Sequence, residues 1–303
     1  MFAAFLTTIL YSLSAITGRR LANHLPGTLA NLSRLMVAAL LAGLWSHAFG
    51  FGFGGPALGI FFLSGCVGFG VGDLALFQAY PRLGTRRTMV MVQCLAAPLA
   101  ALTEWVWLGH APTLTQALFG AVILAGVGVA LAPGPGEAQP THGLLAGSLF
   151  GLVAALCQAL GAVLSRKAYA VAAAEKFVIS GASGGLNAAY QRLLGGLLVS
   201  GTFLLYLKLV HRPDPVGART PNWSRAWPLV IANGILGPTL GVACQQWALS
   251  DTPTSIVLPI VATTPLMVLP LTRIIEGEHL TWRAIIGGVI AVAGVVGLTC
   301  APR

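Results

Sequence analysis

The chain has 303 residues, 56% of them hydrophobic and only 8% charged, against about 25% charged in a soluble domain. So little polar surface cannot keep a globule in water, so lipid is the expected solvent and one membrane domain the expected organisation. The net charge of +9 sits in Lys and Arg at segment ends, where basic residues orient membrane helices; a nucleic-acid-binding surface is not expected.

A spanning helix needs about 20 mostly apolar residues. Ten such runs follow in order, at 2–18, 27–48, 57–79, 87–108, 114–132, 143–165, 184–207, 226–249, 254–275 and 281–300. None alternates like a barrel strand, which leaves helices to satisfy a backbone in lipid. The expected fold class is all-α integral membrane. The first run has the length of a leader, but Arg19 and Arg20 come after its apolar stretch, so it reads as an uncleaved first helix. It carries Thr7, Tyr11, Ser14 and Gly18 at helical spacing. The third run holds Gly65, Gly68 and Gly72 on one face, then Asp73 as its lone charge, then Phe77. A carboxylate in hydrocarbon costs roughly 3 kcal/mol or more unless it meets water, a partner or a substrate.

The connection YPRLGTRR, ending at Arg87, reads as a loop before the fourth run, which puts Gln93 and Glu104 on one face. The sixth run carries Gln158 at the position matching Tyr11. Asn187 and Asn233 lie near the starts of the seventh and eighth runs and read as helix caps. The eighth ends in Gln245, Gln246 and Trp247, and Pro259, Pro265 and Pro270 interrupt the ninth. The cysteines all lie in apolar runs without metal-ligand spacing and read as small fillers. HExxH, CxxC and P-loop strings are missing, which argues against a metalloprotease and an ATP-driven pump. Basic residues crowd one set of connections (Arg19, Arg20, Arg82, Arg86, Arg87, Lys208, Arg212, Arg219, Arg225, Arg273, Arg283). They are sparse on the other (Arg166, Lys167, Lys176, Arg303), which places the termini outside.

The halves repeat each other. Gly109, Thr113, Gly120 and Gly126 recur as Gly277, Thr281, Gly288 and Gly294 without a gap; Arg34 recurs as Arg192, Pro98 as Pro265, and Gly65, Gly68 and Gly72 as Gly234, Gly237 and Gly241. Asp73 is not repeated: Val242 stands at its place. Five runs per copy is an odd number, so the second copy enters the membrane from the opposite side. Two inverted five-helix repeats, 1–132 and 143–303 joined by a linker at 133–142, are expected around a central cavity.

This pattern resembles the EamA-type branch of the drug/metabolite transporter superfamily over nearly the whole chain. The resemblance is carried by the five-helix repeat, by Arg34 and Arg192, and by Pro265, Gly277–Glu278 and the glycine-rich Gly287–Gly294. The first copy departs from the pattern, with His110 where the second has Glu278. The resemblance implies transport of a small organic metabolite or drug, commonly export across the bacterial inner membrane. It also implies cytoplasmic termini, opposite to the charge count.

The expected function is secondary active export by alternating access, proton-coupled through Asp73. Tyr11, Phe77, Gln93, Gln158, Gln245 and Trp247 are the candidate substrate contacts. No catalytic residue, metal or cofactor is expected. The expected partners are a small-molecule substrate and the lipid bilayer, with no nucleic acid, and self-association into a homo-oligomer is left open. The rivals are an uncoupled facilitator and an intramembrane enzyme acting on a lipid-linked substrate, whose acid–base pairs would be His110 with Glu104 or His279 with Glu278.

Overall fold

In hydrocarbon a backbone can hydrogen-bond only to itself, and the apolar runs fold accordingly. The computed structural model describes residues 2–108, 113–131, 143–210, 220–251, 257, 260–277 and 281–300, and among them there is no strand. The helices are α1 (Phe2–Ala22), α2 (Gly27–Phe49), α3 (Leu58–Gly65), α4 (Asp73–Leu108), α5 (Leu114–Leu131), α6 (Leu144–Ala174), α7 (Gly181–Leu209), α8 (Trp223–Gly234), α9 (Val242–Asp251), α10 (Thr264–Glu276) and α11 (Trp282–Cys300). Among the described residues, five helical stretches are long and apolar enough to cross a membrane: Gly27–Phe49, Leu58–Ala100, Leu144–Ala174, Gly181–Leu209 and Trp223–Ser250. Shorter apolar helices lie at Ala117–Ala130, Thr264–Ile275 and Trp282–Gly297. Large apolar side chains such as Leu40, Leu44, Leu118, Leu145 and Leu198 point outward, as lipid-facing helices require. The chain is an integral membrane protein.

Leu58–Ala100 has 43 residues, which as one straight helix would be roughly 65 Å long, about twice the hydrocarbon thickness. Gly84 divides it, with φ 79° and ψ 167°. The connection expected as a loop is thus helical on both sides of one glycine, and Arg86 and Arg87 are buried rather than at an exposed turn. Only glycine takes that backbone conformation without steric cost, so both helices can run up to it.

Two seven-residue π-helical segments, Cys66–Gly72 and Ile235–Gly241, link α3 to α4 and α8 to α9. They occupy matching places in the sequence repeat and close alike: the Asp73 amide donates to Gly68 O, and the Val242 amide to Gly237 O. In the second segment the cause is visible. Pro238 has no N–H to give the Gly234 carbonyl, which instead accepts from Thr239 Oγ1 at 2.8 Å. The first has no proline; its glycines 68, 70 and 72 make the wide turn easy. In both, the first residue after the wide turn is the one facing inward, Asp73 or Val242.

Glycines also set how closely helices approach. A Cβ on Gly65 would collide with the backbone carbonyl of Arg192, and one on Gly195 with that of Phe62, so α3 and α7 cross backbone to backbone. The two segments most alike in sequence, in α5 and α11, pack on each other through Gly126, Gly287 and Ala291. Leu83, Val90, Met91, Ile123, Val127, Val292 and Val295 form the largest buried apolar cluster beside that crossing.

Gly65→Ala is expected to destabilise the protein by about 1–3 kcal/mol, because the backbone it meets cannot give way. Gly59→Ala, where a methyl meets nothing within 4 Å, is expected to be neutral or slightly stabilising. Unfolding midpoints of the two variants in detergent test this, and equal midpoints would remove the close crossing as a stabilising feature.

Candidate functional site

The helices leave a cavity of about 100 Å³ in the interior, room for several waters or a small organic molecule. It is lined from both halves of the chain: Tyr11 and Ser14 on α1, Arg34 on α2, Asp73 and Gln93 on α4, Gln158 on α6, Arg192 on α7 and Gln245 on α9. The π segments contribute Gly68, Phe69, Gly72, Gly237 and Pro238, and Leu76, Val92 and Leu249 add apolar wall.

Asp73 forms an ion pair with Arg34, through Oδ2 and Nη2, in a place where Arg34 is only 5% exposed. The guanidinium is held on several sides. Nε and Nη2 donate to Asn31 Oδ1 at 3.0 and 2.9 Å, Nη1 donates to Asn233 Oδ1 at 3.3 Å, and the Phe77 ring lies 4.8 Å beneath it. The asparagines are themselves anchored. Asn31 Nδ2 donates to Phe69 O and Ser200 Oγ, and Asn233 Nδ2 to Ser14 O, Ser14 Oγ and Thr17 Oγ1. A buried ion pair survives only when its remaining donors and acceptors are met in this way. Neither Asn187 nor Asn233 is a cap. Both are buried inside helices that begin well before them, and Asn187 clamps Phe51 N, Gly52 N and Gly52 O.

The expected substrate contacts divide into two groups. Tyr11, Gln93, Gln158 and Gln245 line the cavity and pair across it: Tyr11 OH donates to Gln245 Oε1 at 2.6 Å, and Gln158 Nε2 to Gln93 Oε1 at 2.5 Å. Phe77 and Trp247 are not among the lining residues. Phe77 is buried against Leu21, Leu25, Ala226 and Val230 and acts beneath Arg34. Trp247 packs with Phe61, Tyr169 and Leu249, hard against Gly185. Both are apolar rings on helices whose neighbours cover them, so they contribute packing to this wall rather than surface. The side chain of Glu104, together with His110, Glu278 and His279, lies outside the described residues.

Arg34 and Arg192 carry the repeat in the sequence, yet their place in the cavity was not expected. Each is an ionisable group inside an apolar run, the signal that singles out Asp73, and would have been found by it. The string Gly181–Gly185 has GxSxG spacing. It opens α7 with no strand before it among the described residues and leaves Ser183 exposed, so the strand-to-helix elbow that makes such a serine nucleophilic is lacking.

Asp73→Asn is expected to cost about 3–5 kcal/mol by stranding the Arg34 charge, whereas the double change Asp73→Leu with Arg34→Met is expected to recover most of that. Denaturant midpoints in a double-mutant cycle measure the coupling, and simple additivity would show that the pair does not hold the site together.

Comparison with known proteins bears on the fold and the family. One solved crystal structure, described only as that of a protein, superposes with a TM-score of 0.64 over 99% of this chain and 96% of its own, at 16% identity; at that identity the likeness speaks for the fold alone. No curated protein sequence matches. The model of the EamA-like transporter family matches residues 145–300, about half of the chain and all of its second helical set from α6 to α11. The chain belongs to the EamA-like transporter family, and with its apolar helices it is a membrane transporter of the drug/metabolite superfamily.

Proposed function

We propose that this protein is a secondary active exporter of a small organic metabolite or drug, working by alternating access in the bacterial inner membrane. In this reading residues 1–132 and 143–303 are two inverted five-helix repeats joined at 133–142, and the cavity between them is the transport site. The observation that carries the proposal is a polar, charged cavity in the middle of an apolar bundle, with walls drawn from both halves. A polar hollow in lipid has a cost, and a solute that must leave its water to cross gives a reason for it.

Two further features support the reading. The π segments put a wide, glycine-rich turn at matching places of the sequence repeat, and such turns let a helix bend without losing its hydrogen bonding altogether. The pairs Tyr11–Gln245 and Gln93–Gln158 join α1 to α9 and α4 to α6, so substrate binding can exchange contacts between helices.

Asp73 is the proposed coupling site. A proton on its carboxyl cancels the charge and dissolves the pair with Arg34, which links proton occupancy to the packing of α2, α4 and α8 at once. In proteoliposomes, Asp73→Asn is expected to lower pH-gradient-driven solute flux at least tenfold while leaving solute counterflow, which needs no net proton movement, within about twofold of wild type. Counterflow guards against a misfolded variant. Gradient-driven flux that survives the substitution would remove Asp73 from coupling and favour an uncoupled facilitator.

A further inference from the structure

Arg192 matches Arg34 in the other half of the chain, but the groups that hold Arg34 are not repeated around it. Arg34 has Asn31, Asn233 and Asp73 as acceptors. At the matching positions stand Ala189, Ser64 and Val242. Ala189 and Val242 have no side-chain acceptor, and Ser64 is engaged with Gly161 O at 2.8 Å and Ser165 Oγ at 3.1 Å. Among the described residues Arg192 makes no hydrogen bond or ion pair, its Nε is buried without a partner, and the residue is 7% exposed.

The guanidinium nonetheless has a built position. It lies over the Phe69 ring at 5.2 Å. Two glycines make room for it: a Cβ on Gly68 or Gly161 would sit 3.1 or 3.3 Å from Nη2. It lines the same cavity as Asp73, Tyr11 and Gln158. An unpaired cation in hydrocarbon costs several kcal/mol, and this one lies in a cavity wall where a ligand can complete it.

We propose that Arg192 is the anion subsite of this cavity and binds the carboxylate of a small monoanionic organic substrate. The proposal rests on the transport reading and gives its substrate class. Charge selects a monoanion: among the lining residues the charged groups are Arg34, Arg192 and Asp73, which leaves one positive charge unbalanced. A dianionic phosphate ester would overshoot. The planar fork of a guanidinium fits a carboxylate with two parallel hydrogen bonds. Leu76, Val92 and Leu249 receive the hydrocarbon part of the molecule.

The test uses benzoate, benzamide, benzylamine and phenyl phosphate as probes on the purified full-length protein, read by thermal shift and by titration. Benzoate is expected to raise the melting temperature in a concentration-dependent way up to about 10 mM, and the others to do so at least tenfold less effectively. Arg192→Gln is expected to weaken benzoate at least tenfold, with Arg192→Lys in between. Val242→Asp installs the counter-charge that the second half lacks. It is expected to abolish the benzoate shift, whereas Val242→Asn, similar in size but uncharged, keeps it within about threefold; this pair covers the case in which Arg192→Gln folds poorly. The proposal is overturned by no benzoate shift in wild type, by benzamide or phenyl phosphate matching benzoate, or by benzoate binding unchanged in Val242→Asp. Radiolabelled benzoate flux in liposomes separates the two readings. Arg192-dependent binding without flux would sink the transport role and leave the anion site standing, and flux indifferent to Arg192 would do the reverse.

Discussion

Two opposite charges meet where the surrounding helices offer mostly aliphatic surface, and the placing of several helices follows from how the Arg34–Asp73 pair is satisfied. Arg34 is only 5% exposed, so protein groups must take most of its hydrogen bonds. Asn31 comes from the same helix as Arg34, one turn earlier. Asn233 comes from α8 and is pinned in turn to α1 through Ser14 and Thr17. Phe77 covers the guanidinium from α4. One ion pair therefore draws four helices to fixed positions, and it joins the two halves, since Asn233 belongs to the second.

The two matching wide turns make the difference in charge beside them informative. Matching wide turns end at Asp73 and at Val242, and Ser64 reaches Gly161 O much as Asn233 reaches Ser14 O. Of the two matching arginines, Arg34 is neutralised by Asp73, whereas Arg192 makes no hydrogen bond or ion pair among the described residues. Packing does not demand a carboxylate at the end of a wide turn, because the second half manages with valine.

Close approach is the other constraint. In lipid there is no hydrophobic gain from bringing two helices together, so contact area at small residues must serve. Gly65 and Gly195 let α3 and α7 touch at the backbone, and this crossing carries the Arg192 carbonyl as well as its side chain into the interior. The glycine faces visible in the sequence are thus packing surfaces. At Gly68 and Gly161 the atom nearest to the missing Cβ is a guanidinium nitrogen of Arg192.

Residue order alone determined the solvent, the helical class and the family, because each depends on local quantities: run length, polarity and the spacing of glycine, proline and charge. It also marked Asp73, since a carboxylate in an apolar run is conspicuous without neighbours. It misread the YPRLGTRR connection, since turn-like composition does not show that a single glycine can carry the break. It misread Asn187 and Asn233, since a cap and a buried clamp differ only in where the helix begins and what lies across from it. Whether a polar residue lines the cavity or packs behind it was decided by tertiary structure alone: Tyr11, Gln93, Gln158 and Gln245 face inward in pairs, while Phe77 and Trp247 turn away. The same holds for Arg34 and Arg192, alike in sequence and opposite in circumstance. Their difference lies in partners from other helices, and a partner distant in the chain becomes a neighbour only when the helices pack.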